Sequence, residues 1–419
     1  MVGNVPNEDL SHILRQFASS RGLSLGFASA APFEAEEVLL LDRLRAGTYP
    51  AFASKVIRRR CRPQELLPGA RSLISVALPY GPESIRPKGP WGDPGSQPHA
   101  VRTMASRLEG NPFRERLRRL FPRGGTAVDG PQGRLARYAC LPDYHLVLIP
   151  ELHRLARIIE KAAPSSRWQA FVDTGPPLDR SVACRSGLGR FGKNCCIFVP
   201  GKGSWVFLGE LLCTALLPAD LPEVRSIPGL LACRSCNRCL QECPSGALRA
   251  PFQHDPRRCI SYLTQMRGII PKEHREHMGN WVLGCDACQD CCPENGRAAP
   301  RRGPGSKEDC FGDGASLPLI RLIEMSDALF EDLFGGTPAA FAGLTAIRRN
   351  AVTAAGNSPD AILIPALCRA LGDPSSAVRA SAAWSLGRAG TRQARTALES
   401  RLRQEQDPQV TAEIREALE

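Results

Sequence analysis

Apolar positions recur at helical spacing through residues 9–21, Asp-Leu-Ser-His-Ile-Leu-Arg-Gln-Phe-Ala-Ser-Ser-Arg, and predict an amphipathic helix. Gly22 and the Leu-Ser-Leu-Gly-Phe run after it predict a turn into a strand. Residues 34–47 repeat the helical pattern. Ser72-Leu-Ile-Ser-Val-Ala-Leu, which follows Pro68-Gly69, is an apolar run of strand length and predicts a buried strand. Residues 81–99, polar and rich in Pro and Gly, predict a loop, and 102–120 a basic helix. The stretch Gly133 to His145 leads into a helix over 146–162. Trp168-Gln-Ala-Phe-Val-Asp173 predicts a strand that ends at Thr-Gly-Pro-Pro. A short helix over 179–188 comes next. The glycine-rich Gly187-Leu-Gly-Arg-Phe-Gly-Lys-Asn194 then leads to a strand pair through Ile197 and through Ser204-Trp-Val-Phe-Leu-Gly-Glu210.

Residues 294–317, rich in Pro, Gly and charge, predict a linker. Beyond it the chain is dominated by Ala, Leu and Arg. Asp373 to Gly390 has the pattern of one helical repeat, Arg349 to Asn357 is a weaker copy, and Asp407-Pro408 opens a truncated one. This spacing suits short HEAT-like helical pairs. So few pairs do not bury a core alone, so they are expected to pack on the rest of the chain, as structural support or as a surface for a large partner.

The densest chemistry lies between these parts. Cys233-Arg-Ser-Cys236-Asn-Arg-Cys239-Leu-Gln-Glu-Cys243-Pro244 is the bacterial iron–sulfur run C-x₂-C-x₂-C-x₃-C-P. A second run, Cys285-Asp-Ala-Cys288-Gln-Asp-Cys291-Cys292-Pro293, follows, with Cys259 between the two. In two-cluster ferredoxins the cysteine before proline ligates the other cluster. That rule assigns Cys233, Cys236, Cys239 and Cys292 to one [4Fe–4S] cluster and Cys243, Cys259, Cys285 and Cys288 to the second. Cys291 is the alternative to Cys292, which is preferred because proline follows it. Structural zinc also takes four cysteines, but its sites rarely repeat this run.

Composition changes the picture in two ways. The 17 cysteines in 419 residues belong to a chain that begins without a basic region and an apolar core of the secretory type, so they are expected to be reduced, in a cytoplasmic protein. No apolar stretch reaches the length of a membrane span. Lys plus Arg number 54 against 42 Asp plus Glu, a net charge of +12 that suits a polyanion such as nucleic acid. The basic Lys55 to Arg62 stretch is a solvated helix face or an anion contact. The loop at 187–194 fits neither G-x-G-x-x-G nor a Walker A pattern, so neither NAD nor ATP is expected.

Taken together, several motifs resemble the epoxyqueuosine reductase family. They are Leu66-Leu-Pro-Gly-Ala-Arg-Ser-Leu-Ile, Asp143-Tyr-His145, Asp173-Thr-Gly-Pro with Asp179-Arg180, Gly192-Lys-Asn194, and Gly203-Ser-Trp-Val-Phe-Leu-Gly-Glu210. Both cysteine runs, Cys259-Ile-Ser-Tyr-Leu-Thr264, Gly279-Asn280 and Arg349-Asn350 complete the set, in the family's order over nearly the whole chain. The resemblance implies an α+β multidomain protein. Residues 1–225 would be an N-terminal α/β cobalamin-binding catalytic domain, 226–300 a ferredoxin-like domain with two [4Fe–4S] clusters, and 318–419 the HEAT-like helical repeats.

It also implies a cytoplasmic, monomeric oxidoreductase that converts epoxyqueuosine to queuosine at the wobble position of tRNA. Cobalamin and two [4Fe–4S] clusters would be its cofactors, and an external low-potential donor would supply electrons. Asp173 matches the family's proposed general acid, and burial against corrin or substrate is expected to raise its pKa. Arg60, Ala136, Asp173, Ile197, Leu208 and Ser261 match positions lining the corrin. Arg267, Arg348 and Arg349 are the expected tRNA phosphate contacts. The Phe334-Gly-Gly-Thr-Pro stretch is less basic than the family's, and Cys291 is an extra thiol. Cys140, Cys195 and Cys196 are expected near the corrin, as small core residues. Alternatives are a corrinoid reductase of another small molecule and a non-catalytic electron-transfer protein.

Overall fold

The computed structural model describes residues 7–51, 53–80, 130–220, 231–297, 315–358 and 360–419. The expected loop at 81–99, the basic helix at 102–120 and most of the linker lie outside the described residues.

The first unit is a four-stranded sheet between layers of helix. Strands β1 (Ser24–Ser29), β2 (Ser72–Pro79), β4 (Trp168–Phe171) and β7 (Val206–Cys213) run in the order β1-β2-β7-β4, each antiparallel to its neighbour. β2 is almost wholly buried because helices cover both faces. On one face lie α1 (Asn7–Ser20) and α3 (His145–Ala162), which bury Leu10, Leu14, Leu148, Leu152 and Leu155 against Ile74, Val76 and Leu211. Leu148, Leu152, Leu155 and Ile159 recur three and four residues apart, the stripe that makes such a helix amphipathic. Glu151, buried in that stripe, is neutralised by Arg21 and by Arg154 at 2.7 Å. On the other face lie α2 (Glu34–Arg45), the short helix Ile57–Cys61 and α4 (Asp179–Arg185), packed on Leu73, Ala77 and Leu212.

The expected strand pair through Ile197 and 204–210 is not formed. β6 (Ile197–Phe198) pairs with β5 (Arg190–Phe191), and β7 enters the main sheet between β2 and β4. A strand long enough to cross the whole sheet gains two ladders there, whereas the hairpin would have given it one.

A second sheet crosses the linear division of the chain. β3 (Gln132–Leu135) lies between β8 (Trp281–Leu283), from the end of the cysteine region, and β9 (Ala315–Pro318), from the start of the repeats. Leu135, Ala139 and Cys140 accordingly belong to the same core as Leu333, Ile347 and Val378.

The repeats are the helices α5 (Leu344–Gly356), Ile364–Ala370, α6 (Ser376–Ala389), α7 (Arg392–Leu402) and α8 (Pro408–Leu418). Small residues let them approach closely. A Cβ on Gly356 would stand 2.5 Å from Ser385 Oγ, and one on Gly387 would meet Ala417 at 2.8 Å. Asp407 caps α8 through the amides of Gln409 and Val410. Two buried arginines tie the repeats to the cysteine region. Arg275 donates to both carboxylate oxygens of Glu413 at 2.5 and 2.8 Å, and Arg349 reaches the loop after Leu263.

Candidate active site

Folding sorts the cysteine thiols into two groups. Cys239 stands among Cys233, Cys236 and Cys292, and Cys292 in turn faces Cys233 and Cys236. Cys285 stands beside Cys243 and Cys259, and Cys288 beside Cys259 and Cys285. The cysteine before each proline thus joins the group of the other run. Cys291 neighbours Cys239 and Cys292, but its thiol points to the Cys288 carbonyl at 3.7 Å. Among the described residues no three such side chains converge closely enough for one metal ion. A cubane, whose irons stand between its thiolates, needs wider spacing.

The glycine-rich loop clamps both runs. Lys193 Nζ donates to the carbonyls of Arg234 and Cys236 at 3.2 and 3.0 Å and to Asn237 Oδ1 at 2.8 Å. Asn194 Nδ2 donates to the Cys288 carbonyl at 3.1 Å. Gly192 leaves room for this, since a Cβ there would stand 2.4 Å from the Phe198 ring. The Gly203-Ser204 turn holds the second run from the other side. Asn295 Oδ1 accepts from Ser204 N at 2.7 Å, and Gln289 Nε2 donates to the Ser204 carbonyl at 3.0 Å. Gly203 has φ +64°, and a Cβ there would meet Asn295 Oδ1 at 2.4 Å. The sequence marked both motifs without giving them a task. Their task is to fix the cysteine loops against the sheet.

Asp173 sits just beyond β4, on the turn Thr174-Gly-Pro-Pro. Its φ of +47° lies in the left-handed region, which aspartate tolerates better than most residues. Arg60 holds the turn through the Pro176 carbonyl at 3.2 Å and is itself anchored on Tyr49 Oη at 2.7 Å. The carboxylate is exposed and accepts a hydrogen bond from Tyr144 Oη at 2.7 Å. The burial expected there is not supplied by the protein itself and would have to come from whatever binds over it. Tyr144 is set by stacking on Phe207 at 4.2 Å and on His145 at 4.5 Å. Burial and the Asp173 charge raise the Tyr144 phenol well above its ordinary value, so it stays a donor.

The expected corrin-lining residues fall into three patches around this turn. Ile197 and Leu208 pack together beside Ala77 and Val199. Arg60 and Asp173 share the turn. Ala136 and Ser261 lie on the cysteine-region side, bridged by Tyr138, which neighbours Ser261, Cys259 and Asp173. Tyr144 thus holds Asp173, and Tyr138 lies near both that turn and Cys259 of the second thiol group. Of the thiols flagged beside them, Cys140 is core, Cys195 is half-buried at φ +62°, and Cys196 lies against Cys288.

The expected phosphate-binding arginines divide. Arg267 is exposed on the loop after Gln265. Arg349 is only 1% exposed, and its guanidinium is spent on the carbonyls of Leu263, Thr264, Met266 and Gly268 and on Asn350 Oδ1. It is a structural tie, and the expectation of a phosphate contact there is corrected. Arg348 is also engaged, donating to the Met325 carbonyl at 2.6 Å and to Asp373 at 3.1 Å.

Residues 232–295 match a 4Fe-4S double cluster binding domain. Residues 342–419 match HEAT repeats, and 117–174 match the domain described as Epoxyqueuosine reductase QueG, DUF1730. An epoxyqueuosine reductase of Bacillus cereus is 32% identical over 415 residues, which cover 98% of this chain and 97% of that one. The Gloeobacter violaceus enzyme is 36% identical over 309 residues, or 73% and 82% of the two chains. The crystal structure of an epoxyqueuosine reductase with an epoxyqueuosine-modified tRNA-Tyr stem loop superposes with a TM-score of 0.80, at 31% identity and 98% coverage of both chains. A Bacillus subtilis structure whose aspartate-bearing catalytic loop is swung out of the active site superposes at 0.79, with 29% identity. The double-cluster domain gives the chain two iron–sulfur clusters, and its similarity over nearly its whole length makes it a member of the epoxyqueuosine reductase family.

Proposed function

We propose that this protein reduces epoxyqueuosine to queuosine in the anticodon of tRNA, in the cytoplasm. Full-length membership of the family supports the reaction, and the match to a stem-loop complex supports tRNA as the substrate. The observation that carries the reading is Asp173. An exposed carboxyl, gripped by Tyr144 on a turn braced by Arg60, stands beside the wall that leads to Cys259.

The reaction opens both C–O bonds of an epoxide and leaves a C=C bond. The oxygen departs as water, so each turnover consumes two electrons and two protons. Asp173 is suited to protonate the oxygen, because the donated hydrogen bond from Tyr144 orients its free oxygen outward. In its exposed state it exchanges protons with solvent. Covered by a bound nucleoside, it is desolvated, which favours its protonated form.

Residues 1–225 would carry cobalamin, with 226–300 holding the clusters and 318–419 the repeats. Cys233, Cys236, Cys239 and Cys292 would ligate one [4Fe–4S] cluster, and Cys243, Cys259, Cys285 and Cys288 the other, as their grouping supports. Cobalamin would lie against Arg60, Ala136, Asp173, Ile197, Leu208 and Ser261. The residues fit such a group. Ile197 and Leu208 offer an apolar wall, while His145 Nε2 is buried without a partner among the described residues. When bound, it supplies a two-electron reductant fed by the single electrons that clusters pass. Arg267 is the remaining phosphate candidate. No helix of the described residues is long and apolar enough to cross a membrane.

Nucleoside analysis of tRNA from cells lacking the gene tests this reading. Epoxyqueuosine should accumulate, the wild-type gene should restore queuosine, and Asp173→Asn should not restore it while the variant retains its iron. Unchanged queuosine in the deletion strain, with no second reductase present, would overturn it.

A further inference from the structure

Under the Asp173 turn the sheet buries polar side chains that the rest of the protein does not answer. Ser75 on β2 lies opposite Glu210 on β7, which lies opposite Phe171 on β4. Residues opposite one another in antiparallel strands share a face, and here α4 covers that face. Its first residue, Asp179, meets Glu210 there. Ser75 and Glu210 are 0% exposed. Ser75 Oγ, Asp179 Oδ1 and both carboxylate oxygens of Glu210 are buried with no hydrogen-bond partner among the described residues. A buried carboxylate normally collects several donors, and one without any is expensive.

The surrounding charges do not resolve this. Arg60, on the helix Ile57–Cys61, and Arg180, on α4, both act on Asp179 from a distance. Their guanidinium groups are committed elsewhere, Arg60 to Pro176 and Tyr49, Arg180 to the Cys195 carbonyl at 2.8 Å. The third charge, Asp173 on the turn after β4, is of the wrong sign and acts on both acids. One proton resolves it, because a protonated carboxyl donates to the other carboxylate. Burial raises Asp179 to about 7, helped by the Asp173 charge, and burial raises Glu210 well above its ordinary value, helped by Asp179.

We propose that Asp179 and Glu210 hold one proton between them beneath the active site and pass it to Asp173, so that Asp173 delivers both protons of a turnover. This rests on the function proposed above, which fixes the need. Asp173 has one proton to give, and two new O–H bonds form on the departing oxygen. After the first transfer Asp173 is an anion beside the pair, and the pair's proton restores it as a solvent proton enters the pair, so the two buried acids are not left charged together. Both residues act through Asp173 and are positioning residues for its proton.

The held proton is visible without turnover. Infrared difference spectra of the holoprotein near neutral pH should contain the carbonyl stretch of a protonated, solvent-shielded carboxyl, lost in both Glu210→Gln and Asp179→Asn. A wild-type spectrum without that band overturns the proposal directly, and needs no variant to fold. In stem-loop turnover with excess reductant, Glu210→Gln should lower kcat by about tenfold at about pH 8, where solvent protons are scarce, and less at about pH 6. KM should hold, and a small weak acid in the buffer should restore part of the rate. A Glu210→Gln enzyme with wild-type kcat and pH profile overturns the relay. If the wild type itself makes no queuosine while the infrared band is present, the proposed substrate fails and the proton-holding pair stands.

Discussion

Replacing Arg349 by Met keeps the length of the side chain and removes every donor. In the folded protein the guanidinium satisfies the carbonyls of Met266, Gly268 and Leu263 at 2.6, 2.8 and 3.0 Å and Asn350 Oδ1 at 2.8 Å. Thr264 O keeps a second donor, Asn350 Nδ2 at 2.7 Å. The variant therefore strands about four acceptors, two of them on the half-exposed Met266–Gly268 loop, at roughly 1–3 kcal/mol each if nothing relaxed. Two effects reduce the sum. The loop Met266–Gly268 lies partly at the surface and can rotate toward water. The wild type also bears the cost of burying a cation without a carboxylate, which lowers Arg349 to about 10. A net loss of about 3–5 kcal/mol is expected, near the low end of that sum. At roughly 2–4 °C per kcal/mol for units of this size, the first melting transition should fall on the order of 10 °C. Circular dichroism melts read this. Stem-loop binding to the variant, measured cold where it is folded, should keep the wild-type salt dependence. An unchanged melt together with a salt slope reduced by about one would refute the reasoning and restore Arg349 as a phosphate contact.

Other substitutions separate the remaining roles. Cys292→Ser should lose one cluster and about half the iron, whereas Cys291→Ser should keep both, as read by iron analysis and electron paramagnetic resonance. Tyr144→Phe removes the hydroxyl that holds Asp173 and should slow turnover by about tenfold with stem-loop affinity intact, since a hydrogen bond to a charged group is worth roughly 1.5–3 kcal/mol. Arg379 and Arg401 hold Glu405 down at about 2, so its contribution to stability is complete above its unfolded value of 4.5 and is lost as pH falls through about 2. Glu405→Gln should therefore melt earlier than wild type at neutral pH, with the gap closing in acid. Asp179 runs the other way. Its folded value is raised, so the native state binds more protons and stability falls as pH rises from about 4 through about 7. Asp179→Asn should flatten that slope in pH-dependent melts.

What the sequence made legible was local or periodic. The cysteine spacing carried the sorting of the thiols into two groups that cross between the runs, because each turn of the loop leaves a thiol where the next is needed. The helix expected over 146–162 forms over His145–Ala162, its apolar stripe intact. The repeats were readable from their Ala and Gly positions, which mark close helix contacts. What escaped depends on which elements meet. Nothing near Ser204–Glu210 says that its strand joins β2 and β4 rather than β6, since strand partners are chosen by the sheet as a whole. Arg349 looked like other basic residues of a basic chain. Only the packing of α5 on the Leu263–Gly268 stretch turns it inward. Asp179 and Glu210 stand thirty-one positions apart and read as a helix start and a strand residue until β7 and α4 bring them together.

The most direct test of the central claim is mass spectrometry of one RNA. Purified protein, with clusters and cobalamin loaded and a strong reductant present, is incubated with a stem loop that carries epoxyqueuosine. The account predicts that the modified nucleoside loses one oxygen and becomes queuosine with wild-type protein, and stays unchanged with folded, fully loaded Asp173→Asn. An epoxide that survives the wild-type protein under these conditions, or that is reduced as fast by Asp173→Asn, would contradict it.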